Sequence, residues 1–485
     1  MKLLFRKNLS LWIVLAIYAI ITGVLSLRHA MWRDELQLWL VGSKSNSLSE
    51  LIQNKRYEIR PYIWFVICWC FSRFTSNPEI LKLFNYLLSI CFAYILLFKF
   101  KQNLFFRIIF LFGFLSIFGY SVIAEQYMLG LLIFLIVVKG IVENAPLKWL
   151  YLQLAILANI DLFCLFVSMG IATIILGTQI KEYFSQEQNQ KTVNYLLIGP
   201  LCYLIAVAFS LFSMWPPKEL KVENRFIERS VIEIAKRINS ALVRSYFPFF
   251  NRDAGNVLNT SIFSILSLFA LIALLTLVIV IIRQNPITGF GFMISNLLLL
   301  FWMGIGYAQY WWHFGPLFFT FFGGVLLLNS RSKYGAKTGK VLYAQIFLIL
   351  SAQIIAIFSG PNLGFLSTRP YSNAKPTAQY VSQICKTNCT IITNAESTGA
   401  SISAYLGGRS LYYVNAQSFG TFASWRKKVN QDSNWNDMIA AAQKFDKSIL
   451  IASSMGNPPS SVQLIAKFEG AVWSDEDFFV YAIRP

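Results

Sequence analysis

The stretch LSLWIVLAIYAIITGVLSL, residues 9 to 27, holds no charged side chain over 19 positions. An α-helix rises about 1.5 Å per residue, so this stretch can cross a hydrocarbon core of about 30 Å. Similar runs recur along the chain, which is 56% hydrophobic and only 13% charged. Because a polar surface cannot cover that composition, we expect an all-α polytopic membrane protein. The runs do not alternate between polar and apolar residues, which argues against a membrane β-barrel.

Eleven apolar segments are predicted to cross the membrane. The first is long and lacks the small-residue cleavage site of a signal peptide, so we expect it to be retained. The segment RPYIWFVICWCFSRF, residues 60 to 74, is interpreted as an interfacial helix, because arginines flank its tryptophans and a further crossing would reverse every later loop. The predicted spans are residues 9–27, 79–98, 108–123, 126–139, 147–160, 162–180, 194–213, 259–282, 287–305, 312–328 and 341–358.

The distribution of Lys and Arg predicts the orientation, because short cytoplasmic loops are rich in these residues. The links 120–127, 158–162 and 306–313 contain neither residue. We therefore expect a cytoplasmic-membrane protein with its N-terminus inside the cell and its C-terminal region outside. The basic residues assigned to the inner face are Lys2, Arg6, Lys7, Lys99, Lys101, Arg107, Lys139, Lys148, Lys181, Lys191, Arg283, Arg331, Lys333, Lys337 and Lys340.

Two domains are predicted: a membrane domain over residues 1–359, with outer loops 28–78 and 214–258, and a small extracytoplasmic α/β domain over residues 360–485. Helix-like and strand-like segments alternate in the second, which suggests a sheet packed by helices. Its two cysteines, Cys385 and Cys389, are equally compatible with a disulfide and with free thiols. The alternating segments are NAKPTAQYVSQIC, TIITN, STGASISAYLG, SLYYVN, WNDMIAAAQKF, KSILIAS, PSSVQLIAKF and FFVYAI.

Acidic residues recur where the predicted spans reach the outer face. Asp34 and Glu35 follow the first span, Glu58 precedes the interfacial helix, and Glu125 and Asp161 lie between later pairs of spans. Each alone fits a helix cap, a turn or a salt bridge. Acids near a membrane are costly unless they line an aqueous cavity or are paired, so their recurrence on one face predicts a functional site.

Three motifs resemble the GT-C superfamily of polyprenyl-phosphate-sugar-dependent glycosyltransferases over about residues 1 to 330. They are RDE at 33–35, EIRPYIWF at 58–65 and YSVIAEQY at 120–127. The superfamily includes protein mannosyltransferases, aminoarabinose transferases and bacterial relatives with an Rgt-like membrane domain. Arg60 replaces the usual His of the second motif, and Tyr62 replaces its second Pro. These departures leave the acceptor and any metal open.

The resemblance implies an inverting transfer of a sugar from a polyprenyl-phosphate donor at the outer leaflet to a lipid, glycan or protein acceptor. Asp34 would be the catalytic carboxylate that accepts the proton of the acceptor, with Glu35 beside it and Glu58 matching the second motif. Glu125 and Tyr127 occupy the third motif. We also expect Asp161 and Arg60 to bind substrate.

The leaving phosphate requires a cation or a hydrogen-bond donor. Arg244 in ALVRSYFPFF and His313 in YWWHFG are the candidates, against the simpler interpretations of a solvated charge and an aromatic-belt residue. A divalent metal held by Asp34, Glu58 and either His29 or His313 is a further alternative, although no motif of closely spaced metal ligands is present.

The net charge of +19 does not indicate nucleic-acid binding, because the basic residues mostly flank membrane spans and suit anionic lipid headgroups. Two other classes remain open. A transporter also has many spans and buried acids, but neither internal repeats nor broken helices are evident in the sequence. A non-catalytic subunit for lipid or glycan assembly would share the fold without the base.

Overall fold

The computed structural model describes residues 2–185, 190–218, 229–249, 261–306, 310–328, 336–359, 369–426, 433–453 and 455–484. A helical part is followed by a smaller α/β part, which confirms the predicted fold class. The helices of the first part are α1 (Lys2–Arg28), α2 (Arg33–Ser43), α3 (Leu48–Lys55), α4 (Ile63–Ser72), α5 (Ile80–Lys99), α6 (Leu104–Leu111), a π-helix (Leu115–Val122), α7 (Tyr127–Val142), α8 (Leu147–Ala158), α9 (Leu162–Ser185), α10 (Gln190–Ser213), α11 (Val231–Tyr246), α12 (Ser261–Gln284), α13 (Pro286–Ile305), a 3-10 turn (Trp311–Phe314), α14 (Gly315–Leu327) and α15 (Ala336–Ile357).

Among the described residues, six helices are long and apolar enough to cross a membrane, and the pair formed by α6 and the π-helix makes a possible seventh. The protein is therefore a multi-pass membrane protein. The six helices are Leu9–Arg28, Ile80–Lys99, Leu162–Ser185, Ser261–Gln284, Pro286–Ile305 and Gly339–Ile357.

Within the described part of the chain, six or seven helices are long enough to cross the membrane, fewer than the eleven spans predicted. α7, α8 and α14 have only 16, 12 and 13 residues. Hydropathy detects an apolar run without detecting where the backbone leaves the helix. Non-helical backbone at membrane depth has to be buried by protein. The loop 123–126, which precedes α7, and the loop 159–161, which follows α8, are both buried.

The predicted span at 108–123 is broken into α6 and the π-helix, which meet at 53°. Polar side chains satisfy the backbone at both ends of the π-helix. Asn85 Nδ2 donates to the carbonyls of Tyr120, Ser121 and Ile123, each at 3.0 Å, and the Leu115 amide donates to Gln353 Oε1 at 3.3 Å. The loop that follows the π-helix is thus held firmly against α5.

The segment before α5 packs as a short helical layer. α2 and α4 cross so closely that a Cβ on Gly42 would lie 2.7 Å from Cys68 Cβ and 2.8 Å from the amide nitrogen of Trp69. The 10-residue α4 is about 15 Å long, too short to cross a bilayer. This agrees with the helix predicted at 60–74, while its depth in the membrane stays a prediction.

The C-terminal part contains one mixed sheet with the strand order β3-β2-β1-β4-β6-β5. β1 runs parallel to β2 and β4, and the other pairs are antiparallel. Its elements are α16 (Ala374–Ile384), β1 (Thr390–Thr393), α17 (Glu396–Tyr405), β2 (Leu411–Tyr413), β3 (Ser418–Gly420), α18 (Trp435–Ala442), β4 (Ser448–Ala452), β5 (Val462–Phe468), a 3-10 turn (Ser474–Glu476) and β6 (Phe478–Ile483).

Most of the predicted α/β segments are confirmed, with two differences. The segment at 459–468 occupies a helix position in the predicted alternation but forms the edge strand β5, and β3 was not anticipated. Cys385 and Cys389 form a disulfide. The predicted domain boundary at 359/360 adjoins residues 360–368, which lie outside the described residues, as do residues 219–228 and 250–258 of the predicted loop 214–258.

The α/β part lies directly on the short helical layer formed by α2 and α4. Ala400 and Ala404 of α17 are buried in one apolar cluster with Leu36 and Leu40 of α2. At the edge of this contact, Lys44 Nζ donates to the Gly407 carbonyl at 3.2 Å. The α/β part, called the soluble domain from here on, therefore covers α2, in which Asp34 is the second residue.

Candidate functional site

Asp34 lies in the first turn of α2 and is the member of the acidic pair that reaches open space. Its side chain is 27% exposed, and its Oδ1 lies 3.6 Å from Arg33 Nε. Among the described residues, no donor makes a hydrogen bond to this carboxylate. Arg33 also contacts the soluble domain, with its Nη1 2.7 Å from Asp475 Oδ2. Asp34 is thus accessible at the junction of the two parts.

Glu35 has a different environment, because its side chain is completely buried. Its Oε2 accepts from His29 Nε2 at 2.8 Å and from the Trp32 amide at 3.1 Å, and its Oε1 accepts from the Ala124 amide at 2.6 Å. This carboxylate caps α2 and joins it to the loop 123–126. The arrangement supports a positioning role for Glu35 instead of a reacting one.

Arg60 lies at the centre of the acidic cluster. Its Nη1 donates to Glu125 Oε2 at 2.8 Å and to Gln126 Oε1 at 3.3 Å. Its Nε and Nη2 make no hydrogen bond to a described residue, and the side chain is 23% exposed. One edge of the guanidinium is therefore held by protein, and the other is available to a ligand. Electrostatic interactions also join Arg60 to Asp34, Glu58, Tyr127, Asp161 and His313.

Glu58 connects the cluster to the soluble domain. Its Oε1 accepts from Gln37 Nε2 at 2.9 Å and from Trp425 Nε1 at 3.1 Å. The buried ammonium of Lys55 lies 4.3 Å from the centre of the Tyr62 ring and donates to the Ser213 carbonyl. Burial lowers the pKa of Lys55 to about 7, and Glu58 opposes that shift.

Asp161 and Tyr127 lie at a mainly apolar cavity that extends between α7, α8, α9 and α14. Its volume is about 30 Å³. Asp161 Oδ1 accepts from the Phe163 amide at 2.8 Å, and its Oδ2 accepts from Gln126 Nε2 at 3.3 Å. Gln126 therefore bridges Arg60 and Asp161, so the polar cluster reaches the lining of this cavity. The lining residues include Leu131, Phe134, Leu157, Val167 and Phe319.

His313 and Arg244 occupy a neighbouring position. The ring of His313 lies 6.3 Å from the Tyr127 ring and 6.0 Å from the Phe163 ring. Arg244, near the end of α11, places its guanidinium carbon 5.5 Å from the centre of the Phe314 ring. His313 is thus next to the cluster. Arg244 contacts Phe314, the residue that follows His313 in the same 3-10 turn.

Burial shifts the pKa values of the acids outside the spans. It raises the pKa of Asp34, an effect opposed by Arg33 and Arg60 and reinforced by Glu58 and Asp475. It also raises the pKa of Glu125 and of Asp161, with Arg60 acting in the opposite direction at both.

No group of three His, Cys, Asp or Glu side chains within the described ranges has an arrangement that could hold a metal ion. His29, one proposed ligand, instead contacts Glu35.

Several residues of the cluster were not identified from the sequence. Arg33, Gln37 and Gln126 are next to or near predicted acids, and polar residues flanking those motifs were a usable signal. Trp425 and Asp475 gave no comparable signal, because they are 367 and 441 residues from Glu58 and Asp34 in the chain.

No family model and no curated protein matches the chain. Among solved structures, it is similar to the cryo-EM structure of the arabinofuranosyltransferase AftD from mycobacteria, at 11% identity and a TM-score of 0.36. That match covers 97% of this chain but 40% of AftD, so the chain spans about two fifths of the length of that protein. At this level of similarity, no residue role is transferred from AftD.

Proposed function

We propose that the protein is a membrane glycosyltransferase that moves a sugar from a polyprenyl-phosphate donor to a lipid, glycan or protein acceptor, with inversion. One observation carries this proposal: Asp34, Glu58, Glu125 and Asp161, from four separate segments, interact with one arginine. That arginine, Arg60, has an edge without protein hydrogen bonds among the described residues, and Gln126 joins it to Asp161, which lines an apolar cavity. A cation near an apolar cavity suits the phosphate of such a donor.

Arg60 is the proposed phosphate-binding residue. A guanidinium binds phosphate through two parallel hydrogen bonds, and the contact of Nη1 with Glu125 leaves Nε and Nη2 to make them. The pinned loop 123–126 fixes the orientation of this edge. As the bond between the anomeric carbon and the phosphate oxygen breaks, Arg60 would stabilise the charge that develops on the polyprenyl phosphate.

Asp34 is the proposed general base. Its carboxylate is partly exposed, accepts no hydrogen bond from the described residues and interacts with both Arg33 and Arg60. It would accept the proton of an acceptor hydroxyl while that oxygen attacks the anomeric carbon from the side opposite the phosphate. The new glycosidic bond forms as the phosphate leaves, so the configuration of the sugar is inverted.

The remaining predicted residues are given supporting roles. Tyr127 and Asp161 would contact the donor at the cavity mouth, and His313 and Arg244 would lie beside its phosphate. The site would face the outside of the cytoplasmic membrane, as the distribution of Lys and Arg predicts.

The full-length protein, purified in lipid nanodiscs, can be tested with a panel of synthetic polyprenyl-phosphate sugars and a membrane extract as the acceptor source. We expect one donor of the panel to be consumed, with equal amounts of polyprenyl phosphate and glycosylated product formed. If no donor is consumed while one is carried intact across a proteoliposome membrane, the protein is a transporter and the proposal is wrong.

A further inference from the structure

The segment 421–426 of the soluble domain is held by α2 on one side and by its own domain on the other. Gln37 of α2 pairs with the backbone of Ala423: its Oε1 accepts from the Ala423 amide at 2.9 Å, and its Nε2 donates to the Ala423 carbonyl at 2.8 Å. Within the soluble domain, the Ser424 hydroxyl donates to Glu396 Oε1 at 2.9 Å. This segment is therefore fixed relative to both parts of the protein.

Trp425 follows directly and has an unusual environment for a tryptophan. Its φ of 52° lies in the left-handed region, which residues other than glycine seldom adopt. Its side chain donates from Nε1 to Glu58 Oε1 at 3.1 Å, yet 40% of the residue remains exposed. Tryptophan side chains are highly buried on average. Strained backbone that presents a half-exposed ring is typical of a binding position.

We infer that Trp425 and Glu58 form a subsite for a sugar ring of the acceptor. A sugar ring has an apolar face of C–H groups, which packs on a flat aromatic surface, and hydroxyls at its edge, which donate to a carboxylate. Trp425 offers the first surface. Glu58 offers the second, since its Oε2 accepts no hydrogen bond from any residue that the structure describes.

The position of this pair relates the subsite to the proposed chemistry. Glu58 interacts electrostatically with Asp34, the proposed base, and with Arg60, the proposed phosphate-binding residue. A sugar held by Trp425 and Glu58 would thus approach Asp34 from the side of the soluble domain. The inference rests on the proposed function and adds to it that the acceptor is a carbohydrate bound partly by the C-terminal domain.

A direct test measures glycan binding without any donor. The full-length protein in nanodiscs would be applied to an array of defined oligosaccharides, together with Trp425→Ala, Trp425→Phe and Phe419→Ala. Phe419 is the matched control, because it is an aromatic residue of the same domain that is 55% exposed and lies on β3. Melting temperatures of all variants would exclude unfolding as the cause of lost binding.

We expect the wild type and Phe419→Ala to bind the same class of glycan, Trp425→Ala to bind at least about tenfold more weakly, and Trp425→Phe to be intermediate. The intermediate value follows because phenylalanine retains an aromatic face and loses the contact with Glu58. Absence of wild-type binding to every glycan, or unchanged binding by Trp425→Ala, would overturn the subsite.

The transfer assay separates this inference from the proposed function. If the protein transfers sugar and Trp425→Ala leaves the KM for the acceptor unchanged, the subsite is wrong while the function stands. If glycan binding depends on Trp425 and no donor is ever consumed, the subsite stands and the transferase proposal fails.

Discussion

Arg60 Nη1 lies 2.8 Å from Glu125 Oε2, an ion pair between residues 65 positions apart in the chain. Glu125 is buried in a loop that is also held by Glu35 through the Ala124 amide. The guanidinium is thus supported from one side by a fixed carboxylate while its other edge remains available. This relationship places a preorganised cation beside the exposed carboxylate of Asp34.

Substitution of Arg60 is predicted to impair transfer more than substitution of Arg244. Loss of a preorganised charge-stabilising donor commonly lowers the rate about 10²- to 10³-fold, so we expect Arg60→Ala to lower kcat/KM by at least about 10²-fold. Arg60→Lys should cost about tenfold, because an ammonium cannot make two parallel hydrogen bonds. Initial rates with a synthetic polyprenyl-phosphate sugar, at matched protein concentration, give these values.

Arg244 provides the comparison, since the sequence predicts that it contacts the donor phosphate. Arg244→Ala and Arg244→Lys are expected to lower turnover by less than the corresponding Arg60 variants. Equal losses of turnover at both positions would indicate that Arg244 contributes as much as Arg60 to phosphate binding. Near-normal turnover by Arg60→Ala would remove Arg60 from that role.

Glu35→Gln is predicted to destabilise the protein. The Glu35 carboxylate accepts three hydrogen bonds, and a glutamine NH₂ cannot accept those made to the oxygen it replaces. Leaving a buried donor unsatisfied costs about 1–3 kcal/mol of folding free energy. Thermal unfolding in one detergent should therefore give a lower melting temperature than the wild type. Glu50→Gln is the control, because Glu50 caps the Asn46 amide at an exposed position. Equal melting temperatures for the two variants would contradict the structural role of Glu35.

The pH dependence of transfer is predicted to respond oppositely to two substitutions. A general base acts when deprotonated, so activity is retained above the pKa of Asp34 and lost as the pH falls through it. Arg33 lowers that pKa, and Asp475 raises it. Arg33→Gln should therefore move the acid limb of kcat/KM to higher pH, and Asp475→Asn should move it to lower pH.

Both substitutions also break the contact between Arg33 and Asp475. A purely structural effect of losing this contact would shift the two profiles in the same direction. Opposite shifts, measured from full pH profiles of kcat/KM, would support an electrostatic effect on Asp34. Parallel shifts would remove Asp34 as the titrating group.

The general fold could be predicted from the sequence because apolar runs and βα alternation are local signals. Residues 9–27 and 390–394 form the expected helix and strand. The number of full-length spans could not be predicted in the same way. The break between Leu111 and Leu115 and the end of the π-helix at Val122 involve contacts with distant side chains, Gln353 and Asn85.

The acids of the site could be proposed from their recurrence near one face, and the structure places Asp34, Glu58, Glu125 and Asp161 around Arg60. The distinct environment of Glu35 could not be foreseen, because its partner Ala124 is 89 residues away. The role of the soluble domain could not be predicted from the sequence either. Its contacts with Glu58 and Arg33 form only when the C-terminal part has packed on α2 through α17.

The orientation of the chain remains a prediction that cysteine labelling can test. Ser418 is exposed on β3 of the soluble domain, so Ser418→Cys offers a site for a membrane-impermeant maleimide. The five free cysteines would first be replaced, leaving the disulfide between Cys385 and Cys389 intact. Intact cells should be labelled at this position. Labelling only after permeabilisation would place the soluble domain and the acidic cluster on the cytoplasmic face.

The central claim is that Asp34 accepts a proton during sugar transfer, and Asp34→Asn tests it most directly. The amide keeps the size of the side chain but cannot act as the base, so transfer should fall by about 10²- to 10⁴-fold. Equilibrium binding of the polyprenyl-phosphate sugar should stay within about threefold of the wild type, because Arg60 and the apolar cavity are unchanged. Transfer by Asp34→Asn within about threefold of the wild-type rate, at equal donor binding, would contradict the account.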